Sequence, residues 1–287
     1  MEMDILSVLE HKFPSFSKGQ RTIAQFILKN YDKAAFMTAA RLGEVTGVSE
    51  STVVRFAADL GYRGYPGMKK ALQEIVRNRL TSVERIEAAE STMDGHDVLK
   101  AVLRADINNL QATLDEIDQD YFNQAVDMIL SAKHIYIIGM RTSTTLADFL
   151  AIYLKLLLDD VTVVKEIAAR EVYEQLLRIG EGDLIIGINF PRYSKRTISA
   201  MKFARDRGAR CLGLTDGKVS PLNEISDVCL YTKSEMVSFL DSLVAPLSMI
   251  NALIMAVSAR DRARTFETFR ELENVWKEYE VYGTVES

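Results

Sequence analysis

Residues 37–70, MTAARLGEVTGVSESTVVRFAADLGYRGYPGMKK, decide how the first part of this chain folds. Ala39, Ala40, Leu42 and Val45 predict an apolar stripe on one helix, and Thr38 is placed to cap its start. Gly47 and Val48 then make a tight turn. Ser49 is the cap of a second helix running to about Leu60, with Val53, Phe56, Ala57 and Leu60 on one face at helical spacing. Glu50, Ser51, Thr52 and Arg55 are left on the outer face near that helix's N-terminus. Short polar side chains and an arginine at this place are what a recognition helix needs to reach base edges in the major groove. An ordinary helical hairpin within a bundle is the competing reading; it calls for neither the glycine turn nor the outward polar set. Arg63, Lys69 and Lys70 follow the second helix and are candidate phosphate contacts.

Charge supports a division of labour. The 287 residues carry 35 basic and 40 acidic side chains, a net −5 that taken alone argues against a nucleic-acid binder. The distribution reverses this. Residues 1–80 hold 12 lysines and arginines against 8 acids, leaving 23 against 32 for the remainder. A basic head on an acidic body suits a protein that touches phosphates with one end only.

Residues 1–80 read as an all-helical domain; Ser17 predicts a cap for a helix through Tyr31 that buries Ile23, Ala24, Phe26 and Ile27. Beyond Leu60, three glycines and a proline predict a turn before a basic helix resumes. Residues 81–96, TSVERIEAAESTMDGH, are polar and small, the composition of a linker. A long amphipathic helix is expected over about 97–117 and another over 120–131. From His134 the period changes: HIYIIG, VTVVK, DLIIGINF, RCLGLTD and DVCLYT are short apolar runs bounded by turn signals. Their alternation with helical segments predicts, for residues 97–287, an α/β fold: a doubly wound, five-stranded parallel sheet of flavodoxin-like order 2-1-3-4-5, one helix after each strand. Two further helices, about 239–260 and 266–279, are apolar enough to cover the sheet or form a dimer face. Both cysteines, Cys211 and Cys229, fall in strand-like runs and read as buried hydrophobes. No apolar run reaches membrane-spanning length and the N-terminus lacks the order of a signal peptide, so a cytoplasmic protein is expected.

Ligands of such sheets bind at the carboxyl ends of the strands where strand order reverses. That places a crevice between the loops 139–145 and 189–197, each opening a helix whose unpaired N–H groups favour anions. Arg141, Ser143 and Thr144 in the first loop, and Asn189, Arg192, Tyr193 and Ser194 in the second, are the candidate effector-binding residues. Guanidinium matches phosphate or carboxylate in bidentate geometry, so a small anion is the expected ligand. No metal, cofactor or catalytic residue is expected. His11, His96 and His134 are scattered, no CxxC occurs, and Ser143 has no evident His/Asp partner. Glu166, Glu171, Glu174 and Glu181 read as a solvated helix face rather than a base for isomerisation.

These motifs resemble the RpiR family of bacterial transcriptional regulators over nearly the whole chain. The first half is similar through SKGQRTIAQFILKNYDKAAFMTAARLGEVTGVSESTVVRFAADLGYRGYPGMKK; the second resembles the sugar isomerase (SIS) domain through GDLIIGI, ARDRGARCLGLTD and SPLNEISDVCL. The resemblance implies a regulator of double-stranded operator DNA whose affinity responds to a phosphosugar, acting as a homodimer or tetramer. The departures fall in the ligand loops. GxGxS becomes Gly139-Met140-Arg141-Thr142-Ser143, with Arg141 in the second glycine's place. SxSGxT becomes Asn189-Phe190-Pro191-Arg192-Tyr193-Ser194, with Arg196 where an acid often follows. Arg141 fills space a glycine leaves for the ligand, and Pro191 removes a backbone donor. A smaller or different anion than the family's phosphosugar is an equal expectation. The rival reading is a sugar-phosphate isomerase with an accessory helical domain, which turnover by residues 97–287 would distinguish. A dimerisation module without ligand is a third.

Overall fold

The computed structural model describes residues 5–79, 83–84, 86, 98–165, 169–235 and 240–281. The chain forms two compact units, residues 1–85 and 86–287. Most of the expected linker, 81–96, lies outside the described residues, as do Glu166 and His96.

The first unit holds α1 (Ile5–Lys12), α2 (Lys18–Lys29), α3 (Tyr31–Ala34), α4 (Ala39–Thr46), α5 (Glu50–Asp59) and α6 (Gly64–Arg79). Ser17 begins α2 with a reciprocal capping box: its hydroxyl accepts from the Gln20 N–H, and the Gln20 side chain accepts from the Ser17 N–H. The helix stops at Lys29, short of Tyr31, because Asn30 leaves helical geometry (φ −139°, ψ 42°). Pro66 lies inside the first turn of α6 rather than in a turn before it; there its missing N–H breaks no helical bond. Phe56, Val53, Leu42, Ile23 and Met68 are wholly buried in one core shared by these helices. The Tyr65 hydroxyl donates to the Met37 carbonyl at 3.0 Å, tying α6 to the entrance of α4, and burial pushes its pKa up to about 12.

The stripe of α4 differs from the expected one. Ala39, Leu42, Gly43 and Thr46 are buried, whereas Ala40 and Val45 are exposed. Positions i, i+3, i+4 and i+7 form the helix's true inner line, and on it a glycine and a threonine take places that hydrophobicity alone assigns elsewhere. Gly43 is there for contact. A Cβ built on it would stand 2.8 Å from the Val48 carbonyl oxygen, so α4 and the start of α5 approach across bare backbone. Gly47, at φ 69°, closes the turn: its N–H and that of Val48 donate back to the Glu44 and Gly43 carbonyls.

The second unit begins with α7 (Val98–Glu116) and α8 (Gln119–Leu130), then alternates β1 (Ile135–Gly139), α9 (Thr142–Leu157), β2 (Val161–Val164), α10 (Ala169–Gln175), β3 (Leu184–Ile188), α11 (Lys195–Asp206), β4 (Arg210–Thr215) and β5 (Val228–Tyr231). It ends with α12 (Val244–Arg260) and α13 (Arg262–Glu278). All five strands are parallel, in the order β2-β1-β3-β4-β5, as the periodicity predicts. The β4–β5 crossover departs from the expected helix: a short 3-10 turn, Pro221–Glu224, replaces it. Strand residues alternate between two cores. Ile135, Ile137, Leu184, Ile186 and Leu212 face α8, α9 and α12, while Tyr136, Ile138, Ile185 and Cys211 face α10 and α11. His134 is structural: its ring bridges the Thr162 hydroxyl and the Asp160 carboxylate, each at 3.0 Å, beside the β1–β2 pair. Burial pushes the Cys211 thiol up to about 12 and that of Cys229 up to about 11. Among the described residues no helix is long and apolar enough to cross a membrane.

Replacing Gly43 with alanine forces α4 away from Val48 and lowers unfolding stability by about 1–3 kcal/mol; urea denaturation followed by circular dichroism measures the loss, with Ala40→Gly as a surface control.

Candidate functional site

Two regions gather the expected functional side chains, one in each unit. In the first, α5 begins at a cluster of hydroxyls. Ser49 Oγ accepts from the Thr52 N–H at 3.3 Å and lies 2.9 Å from Ser51 Oγ and 2.8 Å from Thr52 Oγ1. Glu50, Ser51 and Arg55 are exposed on the outer face, and Thr52 is half-buried. Arg55 Nε donates to the Ser51 carbonyl at 3.3 Å, so the guanidinium folds back along the helix toward its N-terminal turn. This concentrates donors at the end of α5 whose dipole already favours phosphate. Arg63 is exposed in the turn after α5 and Lys70 is exposed on α6. Lys69 is half-buried, and its ammonium group reaches the Phe36 carbonyl at 3.5 Å. The sequence offers no sign of that last contact, because Phe36 is brought to it only by the packing of α3 on α6.

In the second unit, β1 and β3 are neighbours, with Gly139 paired to Ile188 at their carboxyl ends. The two loops that leave them open α9 and α11. Gly139 needs its missing side chain: a Cβ there would lie 2.4 Å from the Ser143 carbonyl oxygen. Thr144 Oγ1 donates to the Gly139 carbonyl at 2.9 Å and closes the loop, while Ser143 is buried behind it. Arg141 carries the bend, at φ 57° and ψ −124°, and is exposed. The second loop is held by Asn189. Its Oδ1 accepts from the Ser194 N–H at 2.9 Å and its Nδ2 donates to the Ser194 carbonyl at 3.2 Å, so this buried amide braces the loop from within. Ser194 Oγ in turn accepts from the Thr197 N–H at 3.5 Å as the cap of α11.

Tyr193 donates its hydroxyl to Asp216 at 2.8 Å, bringing the end of β4 into the same neighbourhood; Asp216 was not among the residues expected from sequence. Arg192 is exposed and stands at φ 65°. Both arginines therefore occupy left-handed or otherwise positive-φ backbone, in the places where the resemblance puts glycine. Each such residue costs on the order of 1–3 kcal/mol. The Thr197 hydroxyl, fully buried in the first turn of α11, has no hydrogen-bond partner among the described residues. No group of histidine, cysteine and acidic side chains suited to a metal occurs among the described residues. Of the acids weighed for isomerisation, Glu174 and Glu181 are exposed and Glu171 is half-buried.

A capped helix-turn-helix in one unit and a parallel sheet with two basic loops at its strand ends in the other define a transcriptional regulator built from a DNA-binding and a metabolite-domain fold. The helix-turn-helix domain of the rpiR family matches residues 3–79, and the SIS domain matches residues 128–256. The chain belongs to the RpiR family of transcriptional regulators. The regulator HexR of Pseudomonas aeruginosa is 25% identical over 270 residues, spanning 90% of each chain. The sugar isomerase domain of an RpiR transcription factor from Sphaerobacter thermophilus is 30% identical with a TM-score of 0.60, covering 62% of this chain and 99% of that one. NanR of Vibrio vulnificus, solved in complex with ManNAc-6P, has the same fold at 23% identity and a TM-score of 0.60, covering 96% and 98%.

Because glycine adopts positive φ without strain, Arg141→Gly and Arg192→Gly each raise unfolding stability, by about 1 kcal/mol, while removing a guanidinium. Chemical denaturation of the single and double variants measures the gain.

Proposed function

We propose that this regulator reads a roughly palindromic operator with α5 and senses a small anionic metabolite at the carboxyl ends of β1 and β3. Ser51, Thr52 and Arg55, with Glu50 at the helix start, address base edges; Arg63, Lys69 and Lys70 hold the phosphate backbone. Two subunits present two such helices to adjacent turns of the major groove. The observation that carries the DNA assignment is the exposure of Ser51 and Arg55 at the N-terminus of a helix packed by its opposite face.

The effector assignment rests on Arg141 and Arg192, each held at positive φ at the N-terminus of its own helix, on adjacent strands. Two helix ends and two guanidinium groups favour a phosphate or carboxylate. Asn189, Thr144 and the buried Ser143 shape the loops; Tyr193 and Ser194 flank them, with hydroxyls that bond Asp216 and cap α11. NanR, a protein of the same fold, is described in complex with a sugar phosphate, which makes phosphosugars the first class to test. Isomerisation needs a base beside the carbonyl-adjacent carbon; the loops 139–145 and 189–197 contain neither carboxylate nor histidine, and the neighbouring Asp216 carboxylate is already engaged by the Tyr193 and Thr215 hydroxyls. Sensing without turnover is therefore the reading we adopt, in a cytoplasmic protein with no cofactor.

Within the second unit, α7 is tied to the segment that leaves β5. Asn109 donates to the Glu235 carbonyl at 3.1 Å and accepts from the Glu235 N–H at 3.0 Å. Thr113 accepts from the Lys233 N–H at 2.9 Å, and the Lys233 ammonium pairs with Glu116. The segment that leaves β5 at the carboxyl edge is thus latched to α7. An effector that binds two arrangements of this latch with different affinity shifts the population of DNA-competent regulator.

Arg55→Ala weakens binding to the preferred operator by about 1–3 kcal/mol and relaxes its sequence preference; selection from random duplexes followed by gel-shift titration at fixed salt reads both. Unchanged preference removes α5 as the reading helix. For the crevice, thermal-shift titration with hexose 6-phosphates, ManNAc-6P and inorganic phosphate raises Tm by roughly 5 °C or more at a hundredfold excess over Kd for the true class. Arg192→Ala abolishes that shift. Asn109→Leu keeps it and loses the effector's influence on operator binding; a shift insensitive to Arg192 moves the site elsewhere.

A further inference from the structure

The outward side of α5 is not uniform. One flank is committed to α2: a Cβ built on Gly19 would lie 3.9 Å from the Thr52 methyl, and Asp59 accepts from the Gln20 side chain at 2.7 Å. With Val53, Phe56, Ala57 and Leu60 turned to the core, the strip left open is Ser51, Val54, Arg55 and Ala58. Val54 does not belong there on local grounds. It is the one large hydrophobic side chain exposed on α5, at 39%. A solvated helix position is better filled by alanine, lysine or glutamate, because a β-branched side chain loses rotamer freedom against the preceding turn. A single exposed valine elsewhere on a surface needs no explanation. This one stands three residues after Ser51 and four before Ala58, in line with both and beside Arg55, within the set proposed to meet the operator.

We propose that Val54 is a specificity residue, its isopropyl group packing on the C5-methyl group of one thymine in each operator half-site. The proposal rests on the reading of α5 as the operator helix. The chemistry of the major groove selects this partner. Guanine, adenine and cytosine are read there through hydrogen-bonding groups, and only thymine adds a methyl. An isopropyl group neither donates nor accepts, so against the other three bases it strips water from a polar edge and returns nothing. Against the thymine methyl it takes apolar surface out of water on both sides of the contact. Stiffness favours the same role. Valine in a helix keeps one strongly preferred rotamer, so its branched end is held in place before DNA arrives and little freedom is lost on contact. Ala58 extends the apolar line by one turn. Arg55 and Ser51 address polar base edges on the same strip, and Val54 supplies the complementary test for a methyl, which a hydrogen-bonding side chain cannot make.

The full-length chain and an operator obtained by selection from random duplexes test this. Each thymine of the operator is replaced in turn by deoxyuridine, which deletes the methyl and keeps every hydrogen-bonding group. Gel-shift titration at fixed salt then finds one thymine per half-site whose replacement weakens binding about fourfold, and about fifteenfold when both half-sites are changed. Val54→Ala binds the unmodified operator with a loss of about the same fifteenfold and no longer distinguishes thymine from deoxyuridine at that position. Since the side chain is exposed, the thermal melt of this variant stays close to that of the unmodified protein. At the same position 5-methylcytosine binds about fourfold more tightly than cytosine, and Val54→Ala removes that difference too. Methyl sensitivity that survives Val54→Ala assigns the contact to another side chain and overturns the proposal. An operator without any methyl-sensitive thymine overturns it as well, and if Arg55→Ala still relaxes sequence preference, α5 reads DNA without Val54. Unchanged preference in Arg55→Ala instead removes the underlying assignment of α5, and the role of Val54 falls with it.

Discussion

An all-parallel sheet has to be covered on both faces, and most of the second unit follows from that constraint. Strands that alternate Ile137 toward one side and Ile138 toward the other require two apolar layers, which α8, α9 and α12 supply on one face and α10 and α11 on the other. Each crossover then returns the chain so that helices begin where strands end. The N-termini of α9 and α11 meet at the carboxyl edge for this reason, and their unpaired N–H groups are a by-product of the winding. The binding crevice costs the fold little. What it does cost is local: two arginines at positive φ, in loops braced by Thr144 and Asn189.

The braces explain how such strain persists. A residue in sparsely populated backbone returns to a relaxed conformation unless its neighbours over-determine it. The Asn189 amide makes two hydrogen bonds with the backbone of Ser194, and the Thr144 hydroxyl makes one with Gly139, so neither loop has an independent choice of shape. The arginines project from pinned backbone. Glycine in the same places, as the family pattern has it, leaves room for ligand but offers no charge. This chain has a guanidinium at each of those places instead.

The first unit solves a different problem, since a helix that reads DNA must spend one face on packing and keep the other for bases. Val53, Phe56 and Ala57 anchor α5 in the core, and Ser49 satisfies its first turn, leaving Glu50, Ser51 and Arg55 exposed on the opposite face. The close approach of Gly43 to Val48 sets the two helices of the motif at short range.

How much of this could be read without coordinates varies by feature. Strand order, the two capping residues Thr38 and Ser49 and the inward face of α5 were legible, because periodicity and local hydrogen bonding act over a few residues and leave their mark in composition. The exposed face of α7 was not. Its pattern predicts an amphipathic helix, and amphipathicity is silent about whether the apolar side meets its own subunit or another. Only the contacts of Asn109 and Thr113, made with residues more than a hundred positions away, decide that. The inner line of α4 was misread for a related reason: Gly43 and Thr46 hold core positions by virtue of what lies opposite them. Positive φ at Arg141 and Arg192 belongs to the same class, since side-chain identity argues against it and the surrounding loops impose it. The amino-acid order determined the elements, their caps and their succession; long-range packing determined which faces are buried, which backbone is strained and where the ligand loops meet, because those properties depend on partners that sequence neighbours cannot specify.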